Sequence, residues 1–201
     1  MTETPRFIDP VTFRGAHATL EPLAGEHEAG LRAAAADGEL WRLWYTSVPS
    51  PDAVRSYIDA ALAMRERDHA MPFAVRDNAS GEIVGSTRYF NVVPEHRRLE
   101  IGHTWYAKRV LRTPINTECK RMLLAHAFER LQCIAVEFRT SWFNHASRRA
   151  IERLGAKQDG VLRNHQRHAD GSFRDTVVFS ILASEWPAVR RNLDFQLDRP
   201  R

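Results

Sequence analysis

The chain has 201 residues, 43% of them hydrophobic, which suits a globular domain with a real core and is short for two. No apolar run approaches the ~18 residues needed to cross a bilayer, and the opening "MTETPRFIDP" is too polar for a signal peptide. The net charge is +4 with 26 arginines against three lysines (Lys108, Lys120, Lys157), and the two cysteines, Cys119 and Cys133, have no metal-ligand spacing.

These features predict a reduced, cytoplasmic protein. The arginine excess has two readings. One is a genome rich in G and C; the other is a phosphate-bearing partner, because a guanidinium recognises phosphate bidentately. Charge alone does not separate a nucleic acid from a nucleotide-containing small molecule.

In chain order, "HATLEPL" (17–23) alternates as a strand, and 25–38 reads as a short helix stopped by Gly38. The run 50–67 is a helix with Ser50 as cap, Pro51 in the first turn, and Val54, Ile58, Ala61 and Leu62 on one face. Strands follow at 72–77, 82–93 and 97–107, then a helix over about 116–131 and a strand at 135–140. A helix over 145–154 has Asn144 as cap and Gly155 as stop. Strands at 157–167 and 172–182 flank a turn at Asp170-Gly171, and a helix over about 184–197 closes the chain. This order predicts one α/β (α+β) domain over 1–201, with its core at about 16–183. The sheet would be mixed, largely antiparallel and six- to seven-stranded, flanked by helices, with a parallel crossover between the fourth and fifth strands.

Several residues suit chemistry. Glu100 in "RRLEIGHTWY" sits on the fourth strand, where alternation groups it with Gly102 and Thr104 and puts Leu99, Ile101 and His103 opposite. A carboxylate in a partly closed cleft can accept a proton as a general base. The plain alternative is an exposed glutamate paired with Arg97 or Arg98. Trp41, Trp44 and Tyr45 crowd "LWRLWYTSVP"; at helical spacing they read as core, otherwise as a wall for a ligand. The nine histidines form no metal motif, His165 and His168 are expected to be solvated, and no metal is expected.

The order of elements, "EIGHTWY", the "NTE" helix start and "NHASRRAIERLGA" together resemble the GCN5-related N-acetyltransferase (GNAT) superfamily, and within it the RimJ/RimL type of ribosomal-protein N-terminal acetyltransferase. The likeness is strongest from Ile83 to Leu182 and looser over 17–193. It implies an acetyl-CoA-dependent enzyme that passes an acetyl group directly to a primary amine, with the cofactor cleft between the fourth and fifth strands. Protein N-termini, aminoacyl compounds and other small amines all remain open as acceptors. No membrane and no nucleic acid partner is expected; a homodimer is left open.

The resemblance also assigns roles. The family binds pyrophosphate on a Q/R-x-x-G-x-G/A loop, aligned here with Leu111, Arg112, Thr113, Pro114, Ile115 and Asn116, so both glycines are missing. Pro114 removes a donor and Glu118 adds a negative charge, so an ordinary cap by Thr113 is one reading. The other is an anion site: backbone N–H groups of Ile115, Asn116 and Thr117, with Arg112 and Lys120 nearby and Asn116 in the left-handed backbone a glycine would supply. The family's acid tyrosine is replaced by Ile151, leaving Ser147, one turn earlier, either to act on the CoA sulfur or, as an ordinary helix-start serine, to bond the backbone. Asn144 would touch the pantetheine arm, the backbone N–H groups near Trp105 and Tyr106 would polarise the acetyl carbonyl, and His103 is a second candidate base. Trp41, Trp44 and Tyr45 would line the acceptor groove. The missing tyrosine and glycines also fit a rival, a module of the same fold that binds CoA or RNA without turnover.

Overall fold

The computed structural model describes residues 7–67, 70–168 and 170–199. Within these residues eight strands form one sheet in the order β1-β2-β3-β4-β5-β6-β8-β7. They are β1 (Phe13–Arg14), β2 (Ala18–Pro22), β3 (Ala70–Asp77), β4 (Ile83–Val93), β5 (Arg98–Tyr106), β6 (Ala135–Ser141), β7 (Lys157–Arg167) and β8 (Phe173–Leu182). All neighbours are antiparallel except β5 and β6. The sheet thus exceeds the expected six to seven strands by β1, a two-residue strand too short to carry a period-2 pattern.

The helices are α1 (Glu28–Ala36), α2 (Val54–Glu66), α3 (Ile115–Ala125), α4 (His145–Leu154) and α5 (Trp186–Asp198). α1 and α2 pack together and lie on β4 and β3, while α3 and α4 pack with α5 on the other face. Adjacent residues of β4 separate the two faces. Arg88 stacks on Tyr57 of α2, and the Tyr89 hydroxyl donates to the Leu123 carbonyl of α3 at 2.6 Å. Leu20, Phe73, Tyr89, Leu99, Ile101, Leu123, Phe138 and Phe179 are buried in the core between these layers.

The helix predicted over 116–131 is α3 continued by a π turn, His126–Arg130. The expected apolar face of α2 is buried at Val54, Ile58 and Ala61, with Leu62 packed against it. Ser50 precedes a 3-10 turn (Pro51–Ala53) and makes no side-chain cap bond, so its capping role is corrected. Gly155 ends α4 at φ 103°, a conformation that glycine adopts without Cβ strain.

Candidate active site

The parallel pairing of β5 and β6 covers only Arg98–Ala135, Leu99–Val136 and Glu100–Glu137. Beyond Glu100, β5 runs on to Tyr106 and β6 to Ser141 without pairing to each other, each still bonded to its outer neighbour, so the sheet opens as a wedge. The edge of β5 facing that wedge has lost its strand neighbour, and its backbone groups are left for another partner.

The N-terminus of α3 follows β5. Leu111 ends a 3-10 turn, Arg112 takes a left-handed φ of 66°, and the Thr113 hydroxyl donates to the Val110 carbonyl at 2.7 Å. Thr113 therefore does not cap α3; Pro114 occupies the cap position and no side chain closes the helix. The first bond back along the chain is Glu118 N–H to the Pro114 carbonyl at 2.9 Å, so the N–H groups of Ile115, Asn116 and Thr117 lie ahead of it with no intrahelical acceptor. The left-handed residue is Arg112 rather than Asn116, which is already helical. Arg112 is exposed and Ile115 buried, so Ile115 offers only its backbone. The buried Asn116 Oδ1 and Thr117 Oγ1 have no hydrogen-bond partner among the described residues.

Two charges near this helix end are spent elsewhere. Glu118 accepts from the backbone N–H groups of Ala16 (2.8 Å), His17 (2.8 Å) and Ala18 (2.7 Å), turning its carboxylate into a clamp on the β1–β2 turn. A Cβ on Gly15 would collide with that carboxylate, which accounts for glycine there. The negative charge expected to oppose an anion is thus satisfied by three amide donors. Lys120 points inward and donates to Thr104 Oγ1 (2.6 Å) and Thr87 Oγ1 (3.1 Å). Burial pushes its ammonium down to about 7, and it takes no part in the helix-end site.

Register shows why the expected alternation along β5 fails. Arg88 faces Gly102 and Ser86 faces Trp105, so Thr87 alone spans both His103 and Thr104. This bulge, with His103 at φ 47°, sends Thr104 to the α3 face, where Lys120 holds it. A second bulge lies on β4, where Asn91 and Val92 together face Leu99, with Asn91 at φ 47°. Two left-handed non-glycine residues therefore bracket Glu100.

Glu100 is 3% exposed and has no pairing with Arg97 or Arg98. Its Oε2 accepts from Asn91 Nδ2 at 2.9 Å and lies 3.5 Å from Arg139 Nε. Burial raises its carboxyl to about 7, against the pull of Asn91 and Arg139 toward the charged form. A buried carboxylate poised near neutrality is suited to accept a proton. His103, edge-on to Phe90 at 4.9 Å, is pushed down to about 4 by burial and by Arg88 and Arg174, so it has little affinity for a proton. Sequence reasoning missed Asn91, Arg88 and Arg174 because only strand register brings them to this face.

On α4, the Asn144 side chain caps by accepting from Ser147 N–H at 3.0 Å, as expected. Ser147 is half-buried on the first turn, and Ile151 packs in the core. Trp105 is edge-on to Tyr57 at 6.1 Å, and Tyr106 is buried on the α3 side. Both cysteines are buried with thiols raised by burial, Cys119 to about 12 and Cys133 to about 11, which suits neither to nucleophilic attack.

The tryptophan-rich segment is not a core helix. Trp41 lies in a 3-10 turn beneath the Arg42 guanidinium, while Trp44 is 56% exposed. Trp44 touches the rings of Tyr45 (5.6 Å), Phe143 (5.2 Å) and His168 (5.4 Å), joining the α1–α2, β6–α4 and β7–β8 connections. His168 is therefore half-buried against an aromatic ring rather than solvated, while His165 is exposed and bonds Thr176 Oγ1 at 3.0 Å.

An acetyltransferase (GNAT) domain model matches residues 17–157. A protein of T. thermophilus described as an acetyltransferase is 36% identical, with a TM-score of 0.81 over 98% of this chain and all of its own. A GCN5-related N-acetyltransferase of Brucella melitensis is 30% identical, with a TM-score of 0.86 over 98% of this chain and 90% of its own. RimJ of Mycobacterium smegmatis, in complex with CoA-disulfide, has the same fold at 22% identity, with a TM-score of 0.74 over 89% and 88% of the two chains. The wedge between β5 and β6 thus sits in a chain that belongs to the GNAT family of N-acetyltransferases.

Proposed function

We propose that this protein transfers an acetyl group from acetyl-CoA directly to a primary amine, with the thioester lying in the wedge between β5 and β6. The observation that carries this is the three-residue pairing of those strands, which leaves the β5 edge open beside the uncapped start of α3. The family's general chemistry and the CoA-disulfide complex of the RimJ-like fold support it. On this reading the acetyltransferase unit extends past residue 157 to include β8, which sits between β6 and β7 in the sheet.

Acetyl-CoA supplies the electrophile, a thioester carbonyl. The N–H groups of Ile115, Asn116 and Thr117 and the Arg112 guanidinium receive its pyrophosphate, at the positive end of the helix dipole. Backbone N–H groups near Trp105 and Tyr106, on the edge of β5, polarise the carbonyl oxygen. Glu100 takes the proton that the amine gives up as its nitrogen bonds to the carbonyl carbon. The C–S bond breaks, and the Ser147 hydroxyl stabilises the departing sulfur beside Asn144. Glu100, a buried carboxylate beside an open edge, favours turnover over a binding-only module. Trp44 and Tyr45, with Phe143 and His168, frame the acceptor's approach, and His103 lines it without taking the proton.

Acetyl-CoA is expected to raise Tm, and desulfo-CoA nearly as much, because phosphates and pantetheine supply most contacts. Thiol release from acetyl-CoA, screened over amines and peptide N-termini, then reads the transfer. No Tm shift at millimolar ligand would refute the helix-end site.

A further inference from the structure

The polar face beneath α2 holds more positive charge than it can neutralise. Arg88 is 2% exposed, with its guanidinium over the Tyr57 ring at 5.0 Å and Nη1 3.5 Å from Met64 Sδ. Among the described residues its buried Nε has no hydrogen-bond partner and no carboxylate pairs with the guanidinium. Arg174 on β8 is half-buried; its Nη1 donates to Gln166 Oε1 at 2.8 Å, and its buried Nε likewise has no partner among the described residues. Arg88 lies across from Gly102, two residues along β5 from Glu100, and Arg139 reaches within 3.5 Å of Glu100; the fields of Arg88 and Arg174 also bear on His103, and that of Arg174 on Glu100.

The carboxylates of this neighbourhood are committed. Glu137 is bonded by Arg98 and by Arg139 Nη2 at 2.9 Å. Glu100 is held by Asn91 and Arg139. Among the described residues, Arg88, Arg98, Arg139 and Arg174 therefore stand against Glu100 and Glu137, and the excess lies on Arg88 and Arg174. A buried cation without a partner is destabilising, and an apolar side chain would pack against Tyr57 and Met64 without that penalty. The arrangement is useful if an anion arrives from outside. The same field repels a cation, which disfavours acceptors whose only charge is positive, such as polyamines or a lone lysine side chain.

We infer that the acceptor is a small amine that also carries an oxyanion, a carboxylate or a phosphate, which Arg88 and Arg174 receive while its amine faces Glu100. This rests on the acetyl-transfer reading of the same site. Guanidinium groups suit both oxyanions, since each offers a planar fork of donors. The anion also offsets the positive field, so the amine can approach and give its proton to Glu100.

The test compares matched acceptors by thiol release from acetyl-CoA: the common α-amino acids against their amides, O-phosphoethanolamine against ethanolamine, and spermidine. An anionic member is expected to exceed its neutral partner by about tenfold or more in kcat/KM, with spermidine inert. The carboxylate and phosphate pairs show which oxyanion the site takes. Arg174→Gln and Arg88→Met are expected to bring that ratio toward one, through acceptor KM, and to leave the KM for acetyl-CoA unchanged. Arg88 is buried and its variant can fail to fold; the half-buried Arg174 carries the same expectation. Neutral acceptors equal to or better than the anionic ones, or a ratio unchanged in Arg174→Gln, would overturn the inference. Calorimetry of the same anionic amines on the CoA-saturated protein must show binding; none, with CoA itself bound, also overturns it. Failure of acetyl-CoA to bind at all would instead refute the underlying function.

Discussion

Asn91 donates a 2.9 Å hydrogen bond to Glu100 across β4 and β5, from a left-handed backbone position that its own bulge creates. That bond favours the ionised carboxylate, while burial opposes it and holds the group near 7. Asn91→Gly keeps the left-handed backbone and removes the amide. The acid limb of the kcat/KM–pH profile should then move upward by about one unit, the equivalent of one hydrogen bond to a charged group. An unmoved limb would detach Asn91 from the titrating group.

Arg112→Ala tests the helix-end site. Loss of one charge-assisted phosphate contact of ~1.5–3 kcal/mol should raise the KM for acetyl-CoA about tenfold or more, with kcat little changed. Initial rates over a range of acetyl-CoA concentrations read this directly. An unchanged KM would return 111–117 to a plain chain reversal.

Ser147→Ala tests the hydroxyl that stands in for the missing tyrosine. An interaction with charge developing on sulfur is stronger in the transition state, so the loss should fall on kcat, by about 10- to 100-fold, and not on KM. Because Ser147 N–H, not its hydroxyl, completes the Asn144 cap, stability should barely change. Full kcat would mean that water protonates the sulfur. The reciprocal Ile151→Tyr change is less clean than it looks in the sequence, because Ile151 is buried in the core.

Lys120 should make stability depend on pH in the alkaline range. Its folded pKa, about 7, lies below the ordinary 10.5 because of burial. Between those values the unfolded chain holds a proton that the folded chain does not, so stability rises with pH from about 7 to 10.5 and is flat below. Lys120→Met removes that slope, and Thr87 and Thr104 still bond each other at 2.7 Å. Denaturant midpoints at pH 7 and pH 10 should show the variant gaining more at pH 7, by an amount on the order of 3 kcal/mol. Equal gains at both pH values would show that Lys120 stays charged in the fold.

Periodicity and punctuation were enough to mark α4 from Asn144 to Gly155, the long helix after Ile115, and every strand except two-residue β1. They could not mark the site's finer geometry. The bulge at His103–Thr104 adds one residue to β5 relative to β4, and no local signal in "IGHTWY" announces it. Glu118 and Lys120 read as helix-end charges because they are close to it in sequence. Tertiary contacts about 100 and 16 to 33 residues away claim them instead. Arg88 and Arg174 lie far apart in sequence and reach one neighbourhood only through the β4-β5-β6-β8 order.

The pH dependence of amine-driven thiol release, compared between wild type and Glu100→Gln, tests the central claim most directly. Gln keeps the size and the Asn91 contact and cannot take a proton. The wild type should gain rate through about pH 7 as Glu100 ionises. The variant should lose ~100-fold or more in kcat near neutrality and recover partly at high pH, where free amine accumulates. A Glu100→Gln enzyme with wild-type kcat at every pH would contradict the account.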